Sequence, residues 1–176
     1  MTVNFSIRKC SVSDVVSVVA YGEELFQRER NERLKEAMEE NAILHEKLGY
    51  DNHEFVALRY RNWIIEGIPD QILDDRVEEC KIISKASNIK KLKFTAWLQA
   101  GIYALALRLP KFSVVFHRKY DEKIEREYMR FDYDTEVEEP KIKAILDEAL
   151  KILEKLRDLH FAAKQLMTVG WENERL

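Results

Sequence analysis

The spacing of apolar and polar positions divides the chain into a helical beginning, a strand-rich middle and a helical end. Residues 12–48 predict helix, because valines recur among polar positions in the first part and Glu, Arg, Lys, Leu and Ala dominate the second. Ser13 and Asp14 are the expected caps, and Gly49 is the expected stop. The valine-rich run is also compatible with a strand, because short apolar runs do not separate the two states.

Short runs of strand-forming residues come next, separated by turn residues. Residues 54–60 and 62–68 are so close in sequence that they predict a tight hairpin. Asp74-Asp75-Arg76 predicts another turn, between residues 71–73 and a strand over 77–83. We therefore expect three strands in antiparallel order across this region.

The residues that follow predict a buried helix between loop and strand segments. A polar loop over 84–91 precedes a helix over 94–109, whose residues are mostly small or aliphatic. Pro110 predicts the end of this helix. Residues 112–117 and 124–133 then predict two more strands.

The last third of the chain predicts one long helix. The acidic residues 136–139 predict a loop, after which Pro140 is expected to open an amphipathic helix over 140–166. The order of elements predicts one α/β unit. We expect a single domain over 1–176, with an N-terminal helical part over 12–48, a core over 54–133 and this C-terminal helix.

The composition narrows the class of protein. Charged residues make up 35% of the chain but nearly cancel to a net charge of −3, unlike a protein that coats DNA. An enzyme with one local basic groove is still compatible with this balance. Cys10 and Cys80 form no CxxC motif, and two thiolates cannot hold a cubane iron–sulfur cluster. With no long apolar run and no signal segment, we expect a cytoplasmic protein without membrane contact, or one in the host-cell cytoplasm if a virus encodes it.

The strand over 77–83 carries the most informative side chains. Glu79 and Lys81 share one of its faces with the apolar residues Val77 and Ile83, because side chains alternate along a strand. A buried carboxylate–ammonium pair needs compensation, which a divalent ion and a phosphate would provide. A Glu-x-Lys triplet also arises often by chance in a chain this rich in charges.

A second carboxylate makes the triplet more specific, because Asp70 lies nine residues before Glu79, as a hairpin would require. Two carboxylates can hold Mg²⁺ or Mn²⁺, which activates water and neutralises a phosphodiester transition state. The backbone carbonyl of Cys80 could add a metal ligand. Lys81 would orient or deprotonate the attacking water, or hold the scissile phosphate. Asp70 could instead be an ordinary turn residue after Gly-Ile-Pro.

Three more polar residues complete the candidate site. Gln99 and Tyr103 are four residues apart and so share one face of the apolar helix. Gln99 is expected near the nucleophile or phosphate and Tyr103 near the substrate backbone; a solvent-facing stripe is the alternative. His45 could complete the metal site as a neutral imidazole, although a lone histidine near a helix end is more often a surface or capping residue.

In order and spacing, these residues resemble the motifs of the RecB-like nucleases in the PD-(D/E)XK superfamily. The four matching segments are residues 40–48 with His45, Gly67 to Asp70, Glu79 to Lys81, and Gln99 to Tyr103. The set is similar to that of CRISPR-associated RecB-like exonucleases, but the iron–sulfur cysteines of that group are missing.

This resemblance implies a restriction-endonuclease-like core, with a central mixed sheet of about five strands flanked by helices. It also implies a nuclease that cleaves DNA with Mg²⁺ or Mn²⁺, often single-stranded DNA or DNA ends, without an iron–sulfur cluster. Two alternatives stay open. One is a catalytically silent RecB-like domain that binds nucleic acid or a protein; the other is a helical interaction module that uses the helix over 140–166 as a docking or dimer surface.

Overall fold

The computed structural model describes residues 7–21, 42–84, 87–120 and 123–173, with side chains in the last helix through residue 158. Seven strands and four helices lie in these ranges. In chain order they are β1 (Arg8–Ser11), α1 (Val12–Tyr21), α2 (42–48), β2 (Val56–Tyr60), β3 (Trp63–Gly67), β4 (Gln71–Ile72), β5 (Arg76–Ile83), α3 (Ile89–Leu107), β6 (Lys111–Tyr120), β7 (Lys123–Asp134) and α4 (Thr135–Asn173).

The strands form two mixed sheets, so the predicted α/β class is confirmed, and the arrangement is consistent with the expected restriction-endonuclease-like core. The smaller sheet has the order β1-β3-β2, with β1 parallel and β2 antiparallel to β3. The larger sheet has the order β4-β5-β6-β7, in which only β5 and β6 run parallel. The described residues form seven strands in two sheets, rather than about five strands in one central sheet. Strand β1 is polar and β4 has only two residues, so both give little local signal in the sequence.

The two predicted turns join antiparallel neighbours. Arg61 adopts a left-handed φ of 54° in the tight turn between β2 and β3, as the expected hairpin requires. The turn before Arg76 brings β4 against β5. However, β3 and β5 lie in different sheets, so the expectation of one antiparallel series of three strands is wrong.

Helix α3 lies at the centre of the core. It connects the parallel strands β5 and β6, and it packs against both sheets and against α1 and α4. The helix begins at Ile89, five residues before the predicted start, because the Asn88 side chain caps it by accepting the Lys91 N–H at 3.1 Å. It ends with Arg108 in a left-handed conformation (φ 57°), before Pro110.

The ends of the other helices also differ from the prediction. Ser11 rather than Ser13 caps α1, because Ser11 and Asp14 exchange two hydrogen bonds of 2.9 Å between side chain and backbone N–H. Of the predicted helix over 12–48, residues 22–41 lie outside the described residues.

Helix α4 starts at Thr135, so the predicted loop over 136–139 is wrong. The Asp134 carboxylate accepts the N–H groups of Glu136 and Val137 at 3.0 and 3.3 Å, which starts the helix well before Pro140. Buried Ile142 and Leu146 pack this helix into the core, while a dimer contact through it stays a prediction. No helix in the described ranges is long and apolar enough to cross a bilayer.

Candidate active site

Asp70 lies at an edge of β5 that the described residues leave largely open. Strand β4 pairs only with Val77 and Glu78 along this edge. Immediately beyond, Asp70 Oδ2 accepts a hydrogen bond of 2.7 Å from the backbone N–H of Cys80. The carboxylate is therefore fixed to the middle residue of the Glu79-Cys80-Lys81 segment, which we call the triplet.

The backbone of Cys80 faces the same edge. A strand residue directs its N–H and C=O to the same side, so the bond to Asp70 implies that the Cys80 carbonyl also points towards Asp70. The Cys80 thiol is fully buried, and burial raises the pKa of this thiol. Of the groups of Cys80, the backbone carbonyl rather than the thiol faces this edge, so a cation contact through that carbonyl stays a prediction.

Glu79 and Lys81, the two outer residues of the triplet, form a close ion pair on one face of β5. The Lys81 Nζ atom lies 2.7 Å from Glu79 Oε1, and Glu79 is only 3% exposed. Burial raises the pKa of Glu79 to about 7, although the Lys81 ammonium opposes that shift. Burial alone would lower the pKa of Lys81, but the charges of Glu79 and Asp70 outweigh it and raise the pKa overall. These charges favour the ammonium form of Lys81, which donates a hydrogen bond to Glu79.

His45 joins this cluster from α2. Its Nδ1 atom lies 3.4 Å from Asp70 Oδ1, and both side chains are about one-fifth exposed. Burial alone would raise the pKa of Asp70, but the contact with His45 and the charge of Lys81 hold the pKa below its ordinary value. The structure thus brings His45, Asp70 and the triplet together, which sequence spacing alone could not establish.

Tyr103 closes the site from α3 and packs on the end of β3. A Cβ atom added to Gly67 would lie 2.5 Å from the Tyr103 hydroxyl, so only glycine leaves room for this tyrosine. Tyr103 is nearly buried, and burial with the charges of Glu79 and Asp70 raises the pKa of its hydroxyl. Gln99 lies one turn earlier on the same face, half-buried, and its side chain makes no hydrogen bond to other described residues.

The donor atoms at this site suit a hard divalent cation. Asp70 and Glu79 supply carboxylate oxygens, and the Cys80 carbonyl faces the same edge. Within the described ranges, no three His, Cys, Asp or Glu side chains are grouped as a complete metal site. An ion held here by two carboxylates and one carbonyl would need several waters to complete its shell, an arrangement that Mg²⁺ accepts.

Several residues around the site were not predicted. Asn52 Nδ2 donates to the Pro69 carbonyl at 2.9 Å, which fixes the backbone just before Asp70. Tyr50 lies between the rings of His45 and His117. The polar segment after Gly49 is the signal that could have drawn attention to Tyr50 and Asn52; His117 gives no local signal.

The basic residues after the triplet have local partners. Lys91 Nζ lies 3.7 Å from the centre of the Tyr21 ring, and Lys93 Nζ lies 3.4 Å from that of Phe131. Trp97 is buried, so this aromatic side chain belongs to the core rather than to a stacking surface. Lys90 is exposed near the start of α3.

Comparisons with known proteins support the fold. No family model matches the chain, and no curated protein matches it. Among solved structures, it is similar to SSO0001, with 14% identity over 82% of this chain and 76% of that chain and a TM-score of 0.52. It also aligns with the alkaline exonuclease LHK-Exo of Laribacter hongkongensis, at 15% identity over 92% of this chain and 96% of that one, with a TM-score of 0.47. At this low identity, the likeness to SSO0001 extends to the fold alone.

Proposed function

We propose that this protein is a Mg²⁺- or Mn²⁺-dependent nuclease that hydrolyses phosphodiester bonds of DNA, with single-stranded DNA or DNA ends as substrates. One observation carries the proposal: the Asp70 carboxylate is fixed to the backbone of Cys80, directly between Glu79 and Lys81. The Asp70 carboxylate is thus held at a strand edge beside the Glu79–Lys81 ion pair, close enough for the charges of the three groups to influence one another. Such a group matches the charges of a divalent cation and a phosphodiester.

Each side chain has a role that follows from its position. Asp70 and Glu79 would hold the ion, with the Cys80 carbonyl beside them. When bound, the ion lowers the pKa of a coordinated water and neutralises charge on the phosphate. Lys81 stays charged, so it would bind a non-bridging phosphate oxygen once the phosphate competes for its hydrogen bond with Glu79.

His45 and Tyr103 would orient the groups that react. His45 contacts the second oxygen of Asp70 and so limits rotation of this carboxylate. Burial raises the pKa of the Tyr103 hydroxyl, so it would keep its proton and could donate a hydrogen bond to the substrate backbone. Gln99 has an amide without a described hydrogen bond, which suits a contact made only when water or phosphate is present.

The test is cleavage of end-labelled single- and double-stranded DNA with Mn²⁺, Mg²⁺ or a chelator. We expect cleavage only with metal, and a loss of about 100-fold or more in Asp70→Asn and in Lys81→Met, since each change removes several kcal/mol of transition-state stabilisation. Asp75→Asn is the matched control, because Asp75 lies in the neighbouring turn and pairs with Arg76 and Lys111. It should cleave at the wild-type rate.

Metal binding is measured separately, by thermal unfolding with and without Mn²⁺. The ion should raise the melting temperature of the wild type and of Asp75→Asn, but not that of Asp70→Asn. Cleavage that survives in both site variants would overturn the site assignment. Metal binding without cleavage of any nucleic acid would favour a catalytically silent binding domain.

A further inference from the structure

Tyr50 is held between two histidines on the side of β5 away from Glu79. Its ring centre lies 6.1 Å from that of His45 and 5.6 Å from that of His117. The Tyr50 hydroxyl is 3.2 Å from His117 Nε2. A hydrogen-bonded tyrosine thus links the end of α2 to the sheet.

His117 is a fixed anchor. It is 3% exposed and lies at the irregularity where the pairing of β6 with β7 shifts between Phe116 and Arg118. Its Nδ1 atom accepts the backbone N–H of Glu127 at 3.2 Å, and Glu127 has a left-handed φ of 46°. Because a backbone N–H can only donate, the neutral ring carries its hydrogen on Nε2 and donates it to Tyr50.

The backbone of Tyr50 also binds His45. The Tyr50 N–H donates to the His45 carbonyl at 2.9 Å, and the Gly49 N–H donates to the Glu46 carbonyl at 3.0 Å. Gly49 has a φ of 90°, so these bonds form a Schellman end of α2. One residue therefore ends the helix, contacts the His45 ring and is attached to β6.

We infer that Tyr50 and His117 are positioning residues that hold His45 against the Asp70 carboxylate. Neither reaches Asp70 by a described contact, whereas His45 Nδ1 lies 3.4 Å from Asp70 Oδ1. Since His45 matters for catalysis only within the candidate site, the catalytic part of this inference rests on the proposed function. The structural part does not, because it concerns hydrogen bonds that exist without substrate.

The first test is nuclear magnetic resonance of ¹⁵N-histidine-labelled wild-type protein, which reports the tautomer of each ring. We expect His117 to carry its hydrogen on Nε2. A hydrogen on Nδ1 would overturn the inference, because Nδ1 could then no longer accept the Glu127 N–H that fixes the His117 ring. This result depends neither on cleavage nor on any variant that could fail to fold.

The second test uses Tyr50→Phe, which removes only the hydroxyl. The His45 ring signals should shift, and kcat for DNA cleavage should fall about 10-fold, as for other residues that orient a metal-site group. Tyr128→Phe is the control, since Tyr128 is partly exposed on β7 and contacts Arg118. It should change neither readout.

Rescue distinguishes positioning from general support of the fold. His117→Gln keeps an amide donor towards Tyr50 and should retain more of the wild-type His45 signal than His117→Ala. Unchanged His45 signals in Tyr50→Phe would overturn the inference even if the wild type cleaves DNA. The His45 signals could shift in Tyr50→Phe even though the wild type cleaves no DNA. That result would support the link between these residues and would count against the proposed function alone.

Discussion

Glu78 and Glu79 are adjacent residues of β5 with almost equal burial, but their ion pairs differ in kind. Glu78, 4% exposed, pairs with Arg130 of β7, whose guanidinium also binds Glu127. Glu79, 3% exposed, has its ion pair with Lys81 on its own strand. One face of β5 thus carries a carboxylate that is compensated by a distant strand. The other face carries a carboxylate whose pKa is raised by burial, with the Lys81 ammonium opposing that shift.

The two ion pairs differ in what they connect, and this difference distinguishes a pair that stabilises the fold from a pair whose charges are available to a ligand. The pair of Glu78 and Arg130 spans β6 and ties β5 to β7. The pair of Glu79 and Lys81 joins two residues of the same strand, so it connects no separate elements of the fold. A buried charge pair that adds so little to the fold is expected where a cation and an anion bind.

Replacing the two glutamates should give the largest contrast. Glu79→Gln should lower DNA cleavage by about 100-fold or more, because a metal-binding carboxylate supplies several kcal/mol in the transition state. Glu78→Gln should keep the activity but lower the free energy of unfolding by about 2 kcal/mol, since Arg130 retains other partners. Cleavage rates measure the effect on activity, and urea unfolding measures the effect on stability. If Glu78→Gln lost activity and Glu79→Gln lost only stability, the roles assigned to the two glutamates would be wrong.

Removal of Arg130 should sharpen the contrast on the structural face. Arg130→Met leaves the Glu78 carboxylate buried without its partner, which should cost about 3 kcal/mol of folding stability. The double variant with Glu78→Gln should regain part of this loss. Urea unfolding of the four proteins gives the coupling energy, and a value near zero would contradict a structural ion pair.

Gly67 offers a smaller effect on the candidate active-site face. Gly67→Ala should lower stability by about 2 kcal/mol, because the new methyl group would overlap the Tyr103 hydroxyl. Tyr103→Phe removes that oxygen, so the double variant should be more stable than Gly67→Ala alone. Thermal unfolding checks this order, and equal melting temperatures would mean that Tyr103 does not lie against Gly67.

The smallest expected effect is the pH dependence from His117. Burial lowers the pKa of this imidazole; Glu127 opposes the shift, and the charges of Arg126, His45 and Arg130 add to it. The folded protein therefore resists protonation that the unfolded chain accepts. The contribution to stability is complete above the unfolded pKa of 6.5 and is lost as pH falls from there through the folded pKa.

His117→Gln removes this titration while other groups stay the same. The stability difference between wild type and His117→Gln should narrow as the pH falls from about 7.5 to about 5.5. Urea unfolding at several pH values measures it. A difference that widens at low pH would mean that His117 is charged in the folded protein.

Local signals in the sequence were sufficient for the main elements of the candidate site. The close strand runs before Gly67, the triplet in β5 and the apolar helix with Tyr103 are all local patterns, and each lies where the pattern predicts. The first helix starts at Val12, as predicted, although Ser11 rather than Ser13 caps it. The starts of α3 and α4 were misplaced, because one polar side chain decides each of them. Arg130 and His117 could not be predicted, because their partners lie 52 and 67 residues away in the sequence.

The open edge of β5 has a consequence for self-association. An unpaired strand edge invites a strand from another molecule, and proteins often block it with a charged side chain. Asp70 occupies the Cys80 N–H, so the same carboxylate that serves the site also denies this edge to a foreign strand. Removal of the carboxylate in Asp70→Ala would leave the Cys80 N–H unpaired at the strand edge, whereas Asp70→Asn retains an oxygen that can accept this hydrogen bond. Loss of solubility should therefore separate these two variants.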